Sequence, residues 1–79
     1  MNKEDIIHQR GIILDLLYEA RQRETSSIKN PIPLSDIEDA TRDTRFNLGV
    51  LEELGWVERL GLRYRITAQG VLQAEADHG

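Results

Sequence analysis

Between Thr44 and Thr67 the chain reads TRFNLGVLEELGWVERLGLRYRIT, and its apolar periodicity changes partway along. Leu48, Leu51 and Leu54 recur at three-residue steps, which puts them on one side of a helix. Gly55 follows at once, and glycine accepts the left-handed backbone that stops a helix. Beyond it, Leu62, Tyr64 and Ile66 alternate with Arg63, Arg65 and Thr67, the two-residue period of a strand with one wet face. A single element cannot satisfy both periods. The segment therefore predicts a helix over 44–54 and a hairpin over 56–67, with strands at 57–59 and 62–67 and a turn around Leu60-Gly61.

The remaining segments must pack on this unit. Residues 3–23 read as one long helix, with Ile6, Ile7, Ile13, Leu14 and Leu17 at helical spacing. Ile12, Leu16 and Ala20 widen its apolar side beyond what one core face needs. That width fits either a helix wrapped on two sides or a dimer or partner seam made of those three residues. Residues 24–34 form a loop, since Pro31 and Pro33 end any helix. Ile28 and Ile32 are expected to anchor it to the core or to pair with the hairpin as a short strand. Ser35-Asp36-Ile37-Glu38 has the form of a capping box and predicts a second helix over 35–40. Asp43 or Thr41 is the expected N-cap of the next helix. A terminal helix is expected over 68–76, capped by Thr67, with Val71, Leu72 and Ala76 turned inward and the last residues frayed.

Seventy-nine residues allow a single domain, 1–79, and a chain of this size buries only roughly 60–65% of its unfolded surface. It has no cysteine, which removes disulfides and thiolate metal sites. The start, MNKEDII, lacks the layout of a signal peptide, and no apolar run is long enough to span a bilayer, so a cytoplasmic location is expected. The formal net charge is −4, unevenly placed. Residues 1–41 carry −3, residues 42–65 carry five arginines against four acids for +1, and residues 66–79 carry −2. The acidity lies mostly outside the helix and hairpin.

In order and spacing the chain resembles the winged helix-turn-helix superfamily, in particular regulators of the ArsR, MarR and PadR type. The carriers are PLSDIEDAT for the second helix, TRFNLGVLEELGWVER for the third helix into the wing, and YRITAQGVLQAE for the return strand and last helix. The run from Leu51 to Val57 looks like that family's exit from the third helix, and Tyr64-x-Ile66-Thr67-x-x-Gly70 like its exit from the wing. The resemblance implies an α+β, mostly α fold: a three-helix bundle with a short two-stranded β-wing and a C-terminal helix. The sequence departs from the family in its short wing tip, in Gly49, Glu52 and Glu53 where a basic recognition helix is usual, and in lacking room for further helices.

By that resemblance the expected function is a small DNA-binding transcriptional regulator acting as a homodimer on double-stranded DNA. Arg42, Arg45, Phe46 and Asn47 would lie at or beside the major groove, where arginine can hold guanine and asparagine adenine, although the helical angle of Asn47 near the buried face favours a structural role and Phe46 is favoured to pack against the loop before the second helix. Arg59, Arg63 and Arg65 would share the wing's polar face and meet phosphates. Asp36 and Asp39 at the second helix oppose a phosphate backbone. The alternative is a protein-docking module within a larger assembly, using Phe46, Trp56 and the apolar excess of the first helix. Trp56 itself is expected in the core. His8 and His78 lack ligand-spaced companions, the serines lack a base, and no phosphate-binding glycine loop occurs, so neither a metal, a cofactor nor catalysis is expected.

Overall fold

The computed structural model describes residues 2–23 and 30–76. Helix α1 (Lys3–Gln22) leads to strand β1 (Ile32–Pro33), helix α2 (Leu34–Ala40), helix α3 (Thr44–Glu53), strands β2 (Val57–Leu60) and β3 (Arg63–Ile66), and helix α4 (Ala68–Ala76). The fold is α+β and mostly helical, with four helices and a three-stranded antiparallel sheet in the order β1-β3-β2. Among the described residues no helix is long and apolar enough to cross a membrane.

Local chemistry explains most boundaries. The Asn2 side chain accepts from the Glu4 N–H at 2.9 Å, and Glu4, Asp5 and Arg21 complement the two ends of the α1 dipole. Helix α3 stops in a Schellman turn. The Gly55 N–H donates to the Glu52 carbonyl and the Trp56 N–H to the Leu51 carbonyl, both at 3.0 Å, with Gly55 at φ +78°. Thr67 caps α4 as its sequence suggests. Its Oγ accepts from the Gly70 N–H at 3.1 Å and donates to the Gly55 carbonyl at 2.6 Å, while its own N–H donates to the Trp56 carbonyl at 2.9 Å. One threonine thus ties the exit of α3 to the start of α4.

Some expectations are corrected, and one pair of alternatives is decided. Ile32 joins the hairpin as a short strand and makes the sheet three-stranded. Ile32 pairs with Tyr64 and Pro33 with Arg63, and the Leu34 N–H donates to the Leu62 carbonyl at 2.9 Å. That docking starts α2 at Leu34, so extended Pro33 stands at the N-cap without a side-chain bond and Ser35 falls inside the helix. The capping box is therefore not used as a cap. Asp43 does precede α3, but in the left-handed region at φ 52° and with no capping bond from its side chain. The α2–α3 turn is closed instead by Thr41 and Thr44, whose hydroxyls meet at 2.7 Å while Thr41 Oγ donates to the Ile37 carbonyl at 2.8 Å. Ile28, Asp77 and His78 lie outside the described residues.

The core gathers one face of every helix and the inner face of the sheet. Ile13 and Leu17 of α1, Ile37 of α2, Leu48 and Leu51 of α3 and Ile66 of β3 are all at most 1% exposed. Burying each contributes about 1.5–3 kcal/mol. Val57, Tyr64, Ala20 and Ala74 complete it, and Leu16, Trp56 and Val71 pack against its edge. Ile7, Leu54, Leu62 and Leu72 are exposed, against expectation. Ile7 sits near the start of α1. Leu54 sits past the last turn of α3, where the chain swings Trp56 inward. Leu62 is at the hairpin tip, beyond the ladder. Helix α4 is rotated so that Gly70 and Ala74 face inward, which turns Leu72 and Ala76 out.

Gly70 explains that rotation. A Cβ there would fall on the Trp56 carbonyl oxygen and lie 2.6 Å from the Ile66 side chain. Gly70→Ala is expected to lower stability by about 1–3 kcal/mol in urea unfolding, as overpacking against rigid backbone does. At the far side of α4, the Tyr18 hydroxyl donates to the Glu75 carboxylate at 2.9 Å. That hydrogen bond raises the tyrosine above its ordinary pKa of 10.0, helped by desolvation and by the carboxylate's charge. The bond therefore contributes below pH 10.0 and is lost as pH rises through the elevated folded value. Ultraviolet titration of Glu75→Ala should return Tyr18 toward 10.0.

Candidate functional site

The outward side of α3 and the adjoining hairpin carry most of the residues singled out by sequence. Thr44, Asn47, Leu48 and Leu51 fix the inward side of α3, which leaves Arg45, Phe46 and Glu53 exposed and Gly49 half-exposed. Arg45 is 78% exposed at its side chain, and Phe46 is 60% exposed. Phe46 therefore does not pack onto the domain.

Asn47 does not belong to this surface. It is 0% exposed. Its Oδ1 accepts from the Arg10 Nε at 3.1 Å and its Nδ2 donates to the Ile6 carbonyl at 3.1 Å. Both ends of the amide are spent on α1, so none remains for a base edge. Nearby, the Gln9 side chain accepts from the Arg42 backbone N–H at 2.9 Å. Gln9 is itself buried, a polar residue in register with Ile13 and Leu17, and that position in the apolar stripe was the signal that sequence reading passed over.

The hairpin register divides its arginines. Glu58 pairs with Arg65 and Leu60 with Arg63, so these four share one face, since directly paired residues point the same way. Arg59 pairs with Tyr64 and lies on the other face, toward α3. The expectation that Arg59, Arg63 and Arg65 share one polar face is therefore corrected: odd and even residues alternate, and strand pairing puts Arg59 in register with the core-facing Tyr64.

That division brings Arg59 to Arg45. A cleft of about 390 Å³ opens between α3 and the hairpin, walled by Arg45, Gly49 and Glu52 on one side and by Arg59, Leu62 and Tyr64 on the other, with Leu34 and Gly61 completing it.

Each of the five arginines has an internal partner. Arg42 meets Asp5 at 2.9 Å, Arg65 meets Glu58 at 2.9 Å, and Arg45 reaches Glu38 at 3.4 Å. Arg59 Nε donates to the Gly61 carbonyl at 3.0 Å and Arg63 to the Pro31 carbonyl at 3.3 Å. All three ion pairs are exposed, and such pairs contribute only about 0–1 kcal/mol, so a stronger anion can displace the carboxylate. Arg59 and Arg63 keep their full charge, because a carbonyl does not neutralise it.

Of the three α1 residues suggested as a dimer or partner surface, one is withdrawn into the core. Ala20 is 5% exposed and belongs to the core, because α1 turns it toward the same side as Ile13 and Leu17. Leu16 packs against the core edge, and Ile12 is half-buried.

Compared with protein-family models, with curated proteins and with solved structures, the chain finds no match.

The two kinds of residue on α3 should separate in unfolding experiments. Asn47→Ala strands the Arg10 guanidinium and the Ile6 carbonyl and is expected to cost about 1–3 kcal/mol in urea. Arg45→Ala, on the exposed side, should stay within about 0.5 kcal/mol of the parent.

Proposed function

We propose that this chain is a winged-helix protein that binds double-stranded DNA through the outer side of α3 and the β2–β3 hairpin, as a transcriptional regulator. The observation that carries the reading is the cleft flanked by Arg45 on the helix and Arg59 on the hairpin. Two cations on separate elements, facing one groove, suit a polyanion. The order of three helices, a hairpin and a closing helix supports the winged-helix arrangement. Strand β1 would then be the third strand beside the wing.

In this reading the N-terminal end of α3 enters the major groove, and Arg45 holds the phosphate backbone at its border, across the cleft from Arg59. Arg63 and Arg65, on the opposite face of the hairpin from Arg59, reach flanking phosphates once Arg65 leaves Glu58. Arg42 leaves Asp5 in the same way. Asn47 supports the helix from behind and reads nothing. A second copy on a palindromic site would double the arginine count.

The charges set the strength. The five arginines of this surface, Arg42, Arg45, Arg59, Arg63 and Arg65, permit at most about five phosphate contacts per chain, so log K should fall by no more than about 4.5 per decade of salt. Glu52 in the cleft wall, Glu53 next to it on α3, and Asp36 and Asp39 on α2 reduce non-specific affinity further.

A second reading, a protein-docking module, is favoured by a different observation. Phe46 and Leu62, 60% and 75% exposed, offer apolar anchors, and Glu58 neutralises Arg65.

Fluorescence anisotropy of a labelled mixed-sequence duplex, titrated across a salt series, separates the readings. DNA binding predicts salt-sensitive association, and Arg45→Ala with Arg63→Ala should flatten the salt slope by about two units. No association at low salt by folded protein would sink the DNA reading and leave docking.

A further inference from the structure

Three glycines lie inside helices, and only one of them is required by the fold. Gly70 of α4 has the Trp56 carbonyl where its Cβ would be. Gly11 of α1 and Gly49 of α3 have nothing within 4 Å of that position. Neither has a positive φ. Glycine in a helix interior is less stable than alanine, so both residues weaken their helices without an internal reason. Gly11 stands on an exposed part of α1. Gly49 differs in its surroundings, because it forms part of the cleft wall between Arg45 and Arg59.

We propose that this cleft seats the sugar-phosphate backbone of one DNA strand, with Gly49 as the point of closest approach and Arg45 and Arg59 as the two cations that hold it. The proposal rests on the DNA reading above and adds where the strand runs. The geometry of duplex DNA motivates it. One backbone separates the major groove from the minor groove, and the major groove, about 12 Å wide, admits a helix. With α3 in the major groove and the hairpin facing it across a cleft, the backbone that borders the groove must pass between them.

The lining suits such a ligand unevenly, and the unevenness gives its position. Arg45 and Gly49 are one helical turn apart, so the guanidinium and the uncovered helix backbone lie on the same side of α3. Glu52 is on the next part of that wall and repels phosphate. The strand is thus held toward the Arg45 end. Leu62 and Tyr64 on the hairpin offer apolar surface to the sugar carbons. A methyl group at position 49 would project into the path of the strand while touching nothing in the protein.

The test is Gly49→Ala in the full chain, assayed by anisotropy on the same mixed-sequence duplex and by thermal unfolding. Gly11→Ala serves as the matched control and Arg59→Ala as an independent variant. The expected result is at least a tenfold loss of DNA affinity for Gly49→Ala with a melting temperature no lower than the parent's. Gly11→Ala should bind like the parent, and Arg59→Ala should flatten the salt slope by about one unit. If the parent binds while Gly49→Ala and Arg59→Ala bind equally well, the cleft assignment is overturned and the DNA reading stands. If the folded parent does not bind at all, the DNA reading itself fails and the assignment falls with it.

Discussion

The placement of α3 depends on a polar contact inside an apolar core. Asn47 is buried between α3 and α1, and its amide bonds to Arg10 and to the Ile6 carbonyl. Apolar packing alone is non-directional and would let one helix slide or roll on the other. An amide whose two ends need partners of opposite kind permits one rotation and one register, because any other leaves a buried group unsatisfied. Gln9, holding the Arg42 backbone N–H, repeats the device at the start of α3. The outward residues of the helix, Arg45, Phe46 and Gly49, are thereby set from behind.

At the other end of α3, backbone does the same work. The Schellman turn at Gly55 aims the chain into β2, and Thr67 returns from β3 to bond the Gly55 and Trp56 backbone. Gly70 then lets α4 press against the Trp56 carbonyl. The hairpin is therefore anchored at its base on both strands, and the cleft between it and α3 has walls held by hydrogen bonds on each side. The charge on those walls is mixed. Arginines with internal carboxylate partners give a surface that is nearly neutral at a distance and cationic once the carboxylates are displaced, which lowers long-range attraction more than short-range contact.

Much of this was legible in the residues. The change of period around Gly55 located α3 and the hairpin to within a residue or two, and Thr67 named itself as a cap through the helix that follows. Where reading failed, a long-range contact had overruled a local signal. The Ser35 capping box is a sound local pattern, but Pro33 pairs with Arg63, thirty positions away in sequence, and that pairing begins α2 early. Arg59 was misplaced because alternation says which residues share a face only once the register of the partner strand is known. Asn47 was named beside the groove although its helical angle set it near the buried face; the structural role is the one it takes, with a partner, Arg10, on a distant helix that sequence could not supply. Ala20 failed as a seam for the converse reason: small apolar residues look alike at a surface and in a core. Of the site, the exposed arginines and Phe46 could be named from sequence, whereas the cleft that joins Arg45 to Arg59 could not.

Strand β1 has an effect beyond starting α2. It forms one border of the sheet, is two residues long, and contains Pro33, which has no N–H to offer. The opposite border, β2, is four residues long, with Glu58, Arg59 and Leu60 exposed and two of those three charged. A sheet bounded by a proline stub on one side and a short charged strand on the other gives an incoming strand little to hydrogen-bond against. Growth by edge-to-edge addition, the usual route by which small β-containing chains stick to one another, is thus blocked at both borders by the same residues that complete the fold.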